Sequence, residues 1–461
     1  MNKLFVILFL SLCLHSYGQQ NLTDNELGLI ELSLQKSYTL KNANNDLMMD
    51  SIETKTIKQN FIPTLALDGM YAYGASDFNV DIPTFQLPIS GIDLFNGESE
   101  FKAKGHIFNT NLTAKALLFS GMQVSYGSKA NNEKIRAKNY MLSKEKSEII
   151  KDVIDTFDKI ELLNRSKIVL EESEKRLANE KNRVKIAIEN GLATPYDREK
   201  ITAAELKIAS KKTELYGNLS LLYLKLSMLS GVETNTIETY NFELKPWILK
   251  QNNSTFTNRP ELKALDASIS AFDYKLKMNK STFLPKVQAF ATLSYFNLFD
   301  ASIKTPYNTP ISDQPINLDL NHFEAFPAYL LGVGFHWDLF KGLKNSNATQ
   351  KTTIERDIAL NKKDDAAEKL ELFAQKVKIE YEVKNQQILL KEKERTVAYN
   401  TLNLAVKSYR EGLISISDRL EAEVDYQEAI FDYYKIIVLQ RKAALELLTS
   451  TGSLTLTNLN N

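Results

Sequence analysis

Metal- and thiol-competent side chains are scarce: the one cysteine is Cys13, and past the first twenty residues the only histidines are His106, His322 and His336. None of these histidines stands at the three- or four-residue spacing that puts two imidazoles on one helix face, so no metal site is expected. No phosphate loop, nucleophile elbow or pair of catalytic carboxylates occurs, and neither an enzyme nor a cofactor is expected. Two carboxylates do have a defined setting. Asp197 follows Gly191-Leu192 and Asp418 follows Gly412-Leu413, each where a helix should begin, and a carboxylate there favours the positive end of the helix dipole.

The elements that hold these residues are unusually long. Between Gly342 and Gly412 lie 69 residues without glycine or proline, and between Gly127 and Gly191 lie 63 more. Each stretch predicts one helix, which at about 1.5 Å of rise per residue spans about 100 Å. Both end in the same Gly-Leu-x4-Asp turn, and an offset of 221 residues relates the turns, Leu118-Phe119 to Leu339-Phe340, and Gly231 to Gly452. The chain is an internal duplication. Its expected organisation is a leader at 1–18, a first repeat at 19–231, a connector at 232–257, a second repeat at 258–452 and a tail at 453–461.

The leader has Lys3, an apolar run from Leu4 to Leu14 and small residues at Ser16 and Gly18, the pattern of a secretory signal peptide cleaved near Gly18-Gln19. Cleavage removes Cys13, which excludes disulfides and thiol catalysis in the remaining chain. With 57 Lys+Arg against 57 Asp+Glu, nothing favours nucleic acid or an acidic partner, and no later stretch has the eighteen apolar residues of a membrane helix.

Within each repeat the pattern predicts a helix, two strands, the long helix and a return helix. Residues 21–60 and 258–281 are the opening helices, the second starting at Asn258-Arg259-Pro260-Glu261. Period-two alternation then marks strands of about ten or eleven residues, from Thr64 through Tyr73, around Asn111 to Leu118, near Lys286 to Asn297 and around Leu331 to Leu339, with loops of about thirty residues inside each pair. One further strand is expected at Glu238 to Leu244. In the last helix Ile430, Tyr433, Ile437, Gln440, Ala444 and Leu447 recur at coiled-coil spacing, and Leu370, Phe373 and Val377 begin a similar seam.

Ten residues is the length a tilted strand needs to cross a bilayer, and Tyr71, Tyr73, Tyr295, Tyr329 and Trp337 sit where an interfacial girdle would lie. Four strands cannot close a barrel, and open edges are not tolerated in lipid, so the chain must oligomerise. Two copies would give a filled eight-stranded barrel, three a twelve-stranded one with room for a pore.

With the duplicated order, the Arg259-Pro260-Glu261-Leu262 helix start and the Gly-Leu-x4-Asp turns, the chain resembles the TolC-like outer-membrane efflux proteins over nearly its whole mature length. The resemblance implies a mixed α and β membrane protein: a homotrimer with a twelve-stranded β-barrel in outer-membrane lipid and a coiled-coil helical tunnel through the periplasm. It implies an exit duct of a tripartite efflux or type I secretion system, working with a periplasmic adaptor and an inner-membrane pump. The turns Gly191, Leu192 and Asp197, and Gly412 and Leu413, would then be the periplasmic tips where the adaptor docks. Asp418 and Glu421 match the acidic ring at the closed tunnel end, with Glu421 where the family pattern has Asp. Tyr409 matches a gating tyrosine, whereas Ile414 stands where the latching arginine would be, leaving Arg410 or Arg419 as substitutes. The rival readings are a trimeric coiled-coil stalk without a conduit and a soluble periplasmic adaptor.

Overall fold

The computed structural model describes residues 22–86, 93–249, 258–308 and 313–459. The leader, residues 250–257 of the connector and the last two residues of the tail lie outside them. The described chain divides into two compact units, one drawn from Met1–Asp50, Glu133–Ile269 and Asp357–Asn461, the other from Ser51–Asn132 and Ser270–Arg356.

The element order repeats. Helices α1 (Asp24–Lys36) and α2 (Tyr38–Gln59) lead into strands β1 (Thr64–Gln86) and β2 (Asp93–Phe119), then α3 (Gln123–Glu189) and α4 (Pro195–Ser230). After the short α5 (Thr234–Ile237) come α6 (Pro260–Lys280), β3 (Lys286–Asn308), β4 (Pro315–His336), α7 (Lys344–Arg410), α8 (Ile416–Ser450) and α9 (Leu456–Leu459). Helices α3 and α7 are 67 residues each and begin 221 residues apart, as the glycine spacing requires. Among the described residues no helix is long and apolar enough to cross a membrane.

The first unit is helical and closes around a seam. Ile201, Ile208 and Leu215 of α4 are buried at intervals of seven, as are Leu219 and Leu226 beyond them, against Ile154 and Phe157 of α3, both wholly inaccessible. The expected α8 seam is there too, with Ile430, Ile437, Gln440 and Ala444 buried. This repeat keeps one stripe of each helix facing its neighbours.

The strand expected at Glu238 to Leu244 does not form. That segment is irregular: the Glu238, Thr239 and Tyr240 amides close turns on the backbone of α5, and beyond them side chains meet backbone groups in place of a ladder. Glu26 accepts from the Glu243 amide at 3.3 Å. Gln440 accepts from the Trp247 amide and donates to the Trp247 carbonyl, both at 2.8 Å. Buried backbone must be paired, and here helix side chains do it.

The second unit carries an antiparallel sheet of order β1-β2-β3-β4, with β1 and β4 at its edges. Its strands are 22 to 27 residues long, twice the expected length. The supposed loops are mostly ladder: β1 and β2 pair without a break from Thr64↔Lys115 to Ile82↔Gly97. Prolines and glycines that signal loops are absorbed at irregularities, Pro83 beside the shift after Ile82 and Pro306 within the gap between Lys304 and Asn308. A bulge costs a ladder one pairing and leaves the strand intact.

Candidate functional site

The two Gly-Leu turns are near copies. At the end of α3, Gly191 takes φ +69°, and the Leu192 amide donates to the Ala187 carbonyl at 2.8 Å. At the end of α7, Gly412 takes φ +71°, and the Leu413 amide donates to the Ser408 carbonyl at 2.8 Å. This left-handed cap satisfies the last carbonyls of a helix, and only glycine adopts it without strain. The geometry leaves the next residue outside the helix, and Leu192 and Leu413 are 83% and 74% exposed.

Both return helices open on the same carboxylate arrangement. Asp197 accepts from the Thr194 amide and hydroxyl, both at 2.9 Å. Asp418 accepts from the Ser415 amide at 3.0 Å and hydroxyl at 2.7 Å. These bonds are reciprocal capping, and the one from the Ser415 side chain, then that from its backbone, holds the Asp418 carboxyl below the usual carboxylate range. Asp418 and Glu421 are both exposed and stand three residues apart on one face of α8.

The structure brings the two turns together. Ile416 of α8 is buried in the same cluster as Ile201 of α4 and Val184 of α3, with Ile188, Ala193 and Tyr409 packed on it. Tyr409 is half-buried, and burial first, then the charges of Asp197 and Glu180, push its hydroxyl above the usual tyrosine value. Ile414 is half-buried and Arg410 exposed.

Arg419, one of the two substitutes considered for the missing arginine, is a core residue at 1% exposure. Its guanidinium pairs with Glu423 of its own helix at 3.2 Å. Glu423, 2% exposed, also accepts from Arg176 of α3 at 2.7 Å, and Arg176 lies 5.6 Å from the Tyr426 ring centroid. Behind the exposed acids of α8 there is thus a buried Arg419-Glu423 pair that the half-buried Arg176 joins to α3. Only a four-residue repeat, Arg419 to Glu423 and Arg176 to Glu180, hinted at it, and the same spacing is ordinary on a solvated helix face.

A second buried pair was also not foreseen. Arg441 of α8 and Asp158 of α3 have side chains 1% and 3% exposed, with Nε 2.8 Å from each carboxylate oxygen. The guanidinium lies 5.2 Å from the Trp247 ring centroid. Glu26 of α1, wholly inaccessible, lies close by, and burial pushes its carboxyl up to about 7 against the pull of its hydrogen bond from Thr23 and of Arg441.

On the sheet, His106 accepts or donates a 2.7 Å hydrogen bond with Tyr71 and stacks on Phe299. His336 pairs with Asp338 at 3.2 Å. Among the described residues no group of three His, Cys, Asp or Glu could hold a metal ion.

Paired helical hairpins around a buried seam and a sheet with two free edges define the fold of outer-membrane channels. Solved structures with this fold include the Campylobacter jejuni CmeC outer membrane channel, 14% identical over 93% of this chain and 86% of that one, TM-score 0.68. The open state of the Neisseria gonorrhoeae MtrE outer membrane channel is 13% identical over 95% of this chain and 92% of that one, TM-score 0.68. The outer membrane protein VceC of Vibrio cholerae is 14% identical over 93% and 96%, TM-score 0.67. No family model and no curated protein matches the chain.

Proposed function

We propose that the chain is an outer-membrane exit duct: three copies close their sheets into one barrel, and their helices form a tunnel that receives substrate from a periplasmic adaptor and an inner-membrane pump. The observation that carries this reading is the sheet itself. Its two edge strands, of 23 and 22 residues, match in length and each has an outer edge that pairs with no other strand among the described residues, and in lipid such edges must be paired by other copies. The shared fold of CmeC, MtrE and VceC supports it.

In this duct the Gly191 and Gly412 turns are the periplasmic tips, and the exposed Leu192 and Leu413 with Asp197 are the adaptor-docking surface. Asp418 and Glu421 ring the tunnel constriction, where three copies present six carboxylates that attract cations and repel one another. Tyr409 supports that ring. Arg419 is not the latch, since it is a core residue paired with Glu423 of its own helix, and the exposed Arg410 is the better candidate. Opening requires the helices carrying these turns to untwist. Energy and substrate choice come from the pump.

Fractionation of cells expressing the full chain tests the reading. A duct gives an outer-membrane protein that migrates as a heat-sensitive oligomer. A soluble periplasmic product points to the adaptor, and a membrane oligomer that never conducts points to a structural stalk.

A further inference from the structure

The sheet is longer than a bilayer needs, and its two faces exchange polarity part of the way along. On β1, Leu65, Leu67, Tyr71 and Tyr73 lie on one face, with Leu112 and Phe108 of β2 as cross-strand partners of Leu67 and Tyr71. The opposite face carries Thr64 and Asp68, paired with Lys115 and Asn111. Beyond Ala75↔Lys104 the apolar face becomes charged, with Asp77, Asn79 and Asp81 opposite Lys102, Glu100 and Glu98. The polar face becomes apolar, with Phe78 and Val80 opposite Phe101 and Ser99. The pairing is continuous through this row, so no register slip explains the exchange; it is written in the sequence.

Strands β3 and β4 reach the same arrangement by a different route: the odd-numbered positions of β3 stay apolar in sequence, and the bulge at Asp300 turns them to the other face. Leu293↔Tyr329 and Ala291↔Leu331 lie on the first face. Farther on, that face carries Ser302↔Asp319 and Lys304↔Asn317, while Ala301↔Leu320 and Ile303↔Leu318 fall on the other. The row of exchange is also where β2 and β3 bulge between Lys104 and His106, and where Gly105 packs so closely on Ala301 that an added Cβ would meet the alanine Cβ at 2.9 Å.

The lengths fit one boundary. Residues Thr64 to Gly74 make about 36 Å of strand, which at a tilt of about 40° covers about 28 Å, close to the apolar band of a membrane barrel. An aromatic belt of Tyr71, His106 and Phe299, stacked in sequence, ends that stretch. Past it the charged side is open to water, with Asp77 and Lys102 side chains 64% and 60% exposed. On the apolar side Ser99, Phe101 and Ala301 are buried and Phe101 stacks on Phe78 at 5.6 Å, while Phe78 and Leu318 are exposed in the single chain.

We propose that the row of Ala75 and Lys104 is the outer surface of the membrane, and that the ladder beyond it is an extracellular collar whose inward face is an apolar exit constriction. This rests on the barrel reading above. Inside the membrane a barrel needs its apolar face toward lipid; outside, the same face must meet water, and the exchange supplies both. The collar's edges are the continuations of β1 and β4 and pair with those of neighbouring copies. Three copies then turn Phe78, Phe101, Ile303 and Leu318 toward one axis. A passage so lined excludes hydrated ions by dewetting and yields to apolar or amphipathic molecules, the substrate class this exit fits.

Adjacent positions on opposite faces test it. In a Cys13→Ala background of the full chain, Lys102→Cys, Ala103→Cys and Leu65→Cys are each exposed, in intact cells, to a charged impermeant maleimide and to N-ethylmaleimide. Lys102→Cys should react with the charged probe at least about tenfold faster than Ala103→Cys, while N-ethylmaleimide reacts with both within about threefold; Leu65→Cys should stay silent to the charged probe. Phe101→Ser added to Ala103→Cys should raise its charged-probe rate about tenfold. A heat-sensitive oligomer is required of every variant scored, and the small Ala103→Cys change keeps the comparison free of misfolding. Equal charged-probe rates at Lys102→Cys and Ala103→Cys would overturn the apolar constriction. Lys102→Cys reactive only after detergent would overturn the extracellular placement. Absence of all variants from the outer-membrane fraction is a separate result, which removes the barrel reading and the collar with it.

Discussion

Removing Arg441 should be among the most damaging single changes in the helical unit, and the structure says by how much. Its Nε lies 2.8 Å from both oxygens of Asp158, its Nη1 donates to the Lys245 carbonyl at 3.2 Å, and both charged side chains are at most 3% exposed. Two unit charges about 4 Å apart at an effective dielectric of about 20 attract by about 4 kcal/mol, most of which offsets the cost of taking both ions out of water. The pair is therefore worth little as a pair, but Arg441→Met strands a buried carboxylate at about 3–5 kcal/mol. Adding Asp158→Asn removes that charge and should recover about 2–3 kcal/mol. Burial already pushes the Asp158 carboxyl up to about 6, against the pull of Arg441, and losing the arginine raises it further. A folded-state value above the ordinary one means stability is full at low pH and lost as pH rises, so Arg441→Met should cost less at pH 5 than at pH 8. Trp247 lies against Arg441 and only one other tryptophan exists, so urea unfolding followed by Trp247 fluorescence in a Trp337→Phe background reads the site. Equal losses in the single and double variants, with no pH dependence, would refute the reasoning.

Glu26, pushed up to about 7 chiefly by burial, makes the folded chain hold a proton that the unfolded chain releases near pH 4.5, so stability should fall by about 3 kcal/mol as pH rises through that window. Glu26→Gln should flatten that slope in melts taken from pH 4.5 to 8, while losing about 1 kcal/mol at all pH values because one amide oxygen cannot serve both the Thr23 and Glu243 amides. Gly412→Ala puts a side chain at φ +71° with open space around it, so its cost should be the backbone strain alone, about 1–2 kcal/mol by denaturant titration, and Gly191→Ala should match it. Gly105→Ala drives a methyl into Ala301 at the row where the sheet exchanges polarity, and should lower the oligomer's dissociation temperature, whereas Gly74→Ala, with nothing nearby, should not.

The long helices were legible because a glycine- and proline-free run of more than sixty residues has one regular solution, and the duplication because both copies kept the same turn. The strands were legible only for half their length. On β1 the alternation changes phase between Tyr73 and Asp77, so the first pattern stops where the ladder continues, and Pro83, Gly97 and Gly105 reinforce the impression of a loop. At the turns, Asp197 and Asp418 were recognisable because capping is local. Arg419 was not, because its burial depends on Arg176 and Glu423, the former more than two hundred residues away in sequence. Arg441 and Asp158 are 283 residues apart and leave no local trace at all.

The central claim is a gated conduit, and single-channel conductance in planar bilayers tests it most directly, with wild type compared against Asp418→Ala plus Glu421→Ala. A trimeric duct with an acidic constriction predicts small, cation-selective openings in the wild type, and loss of cation selectivity and of block by divalent cations in the double variant. Verified, membrane-inserted oligomers that pass no current in either form would contradict it.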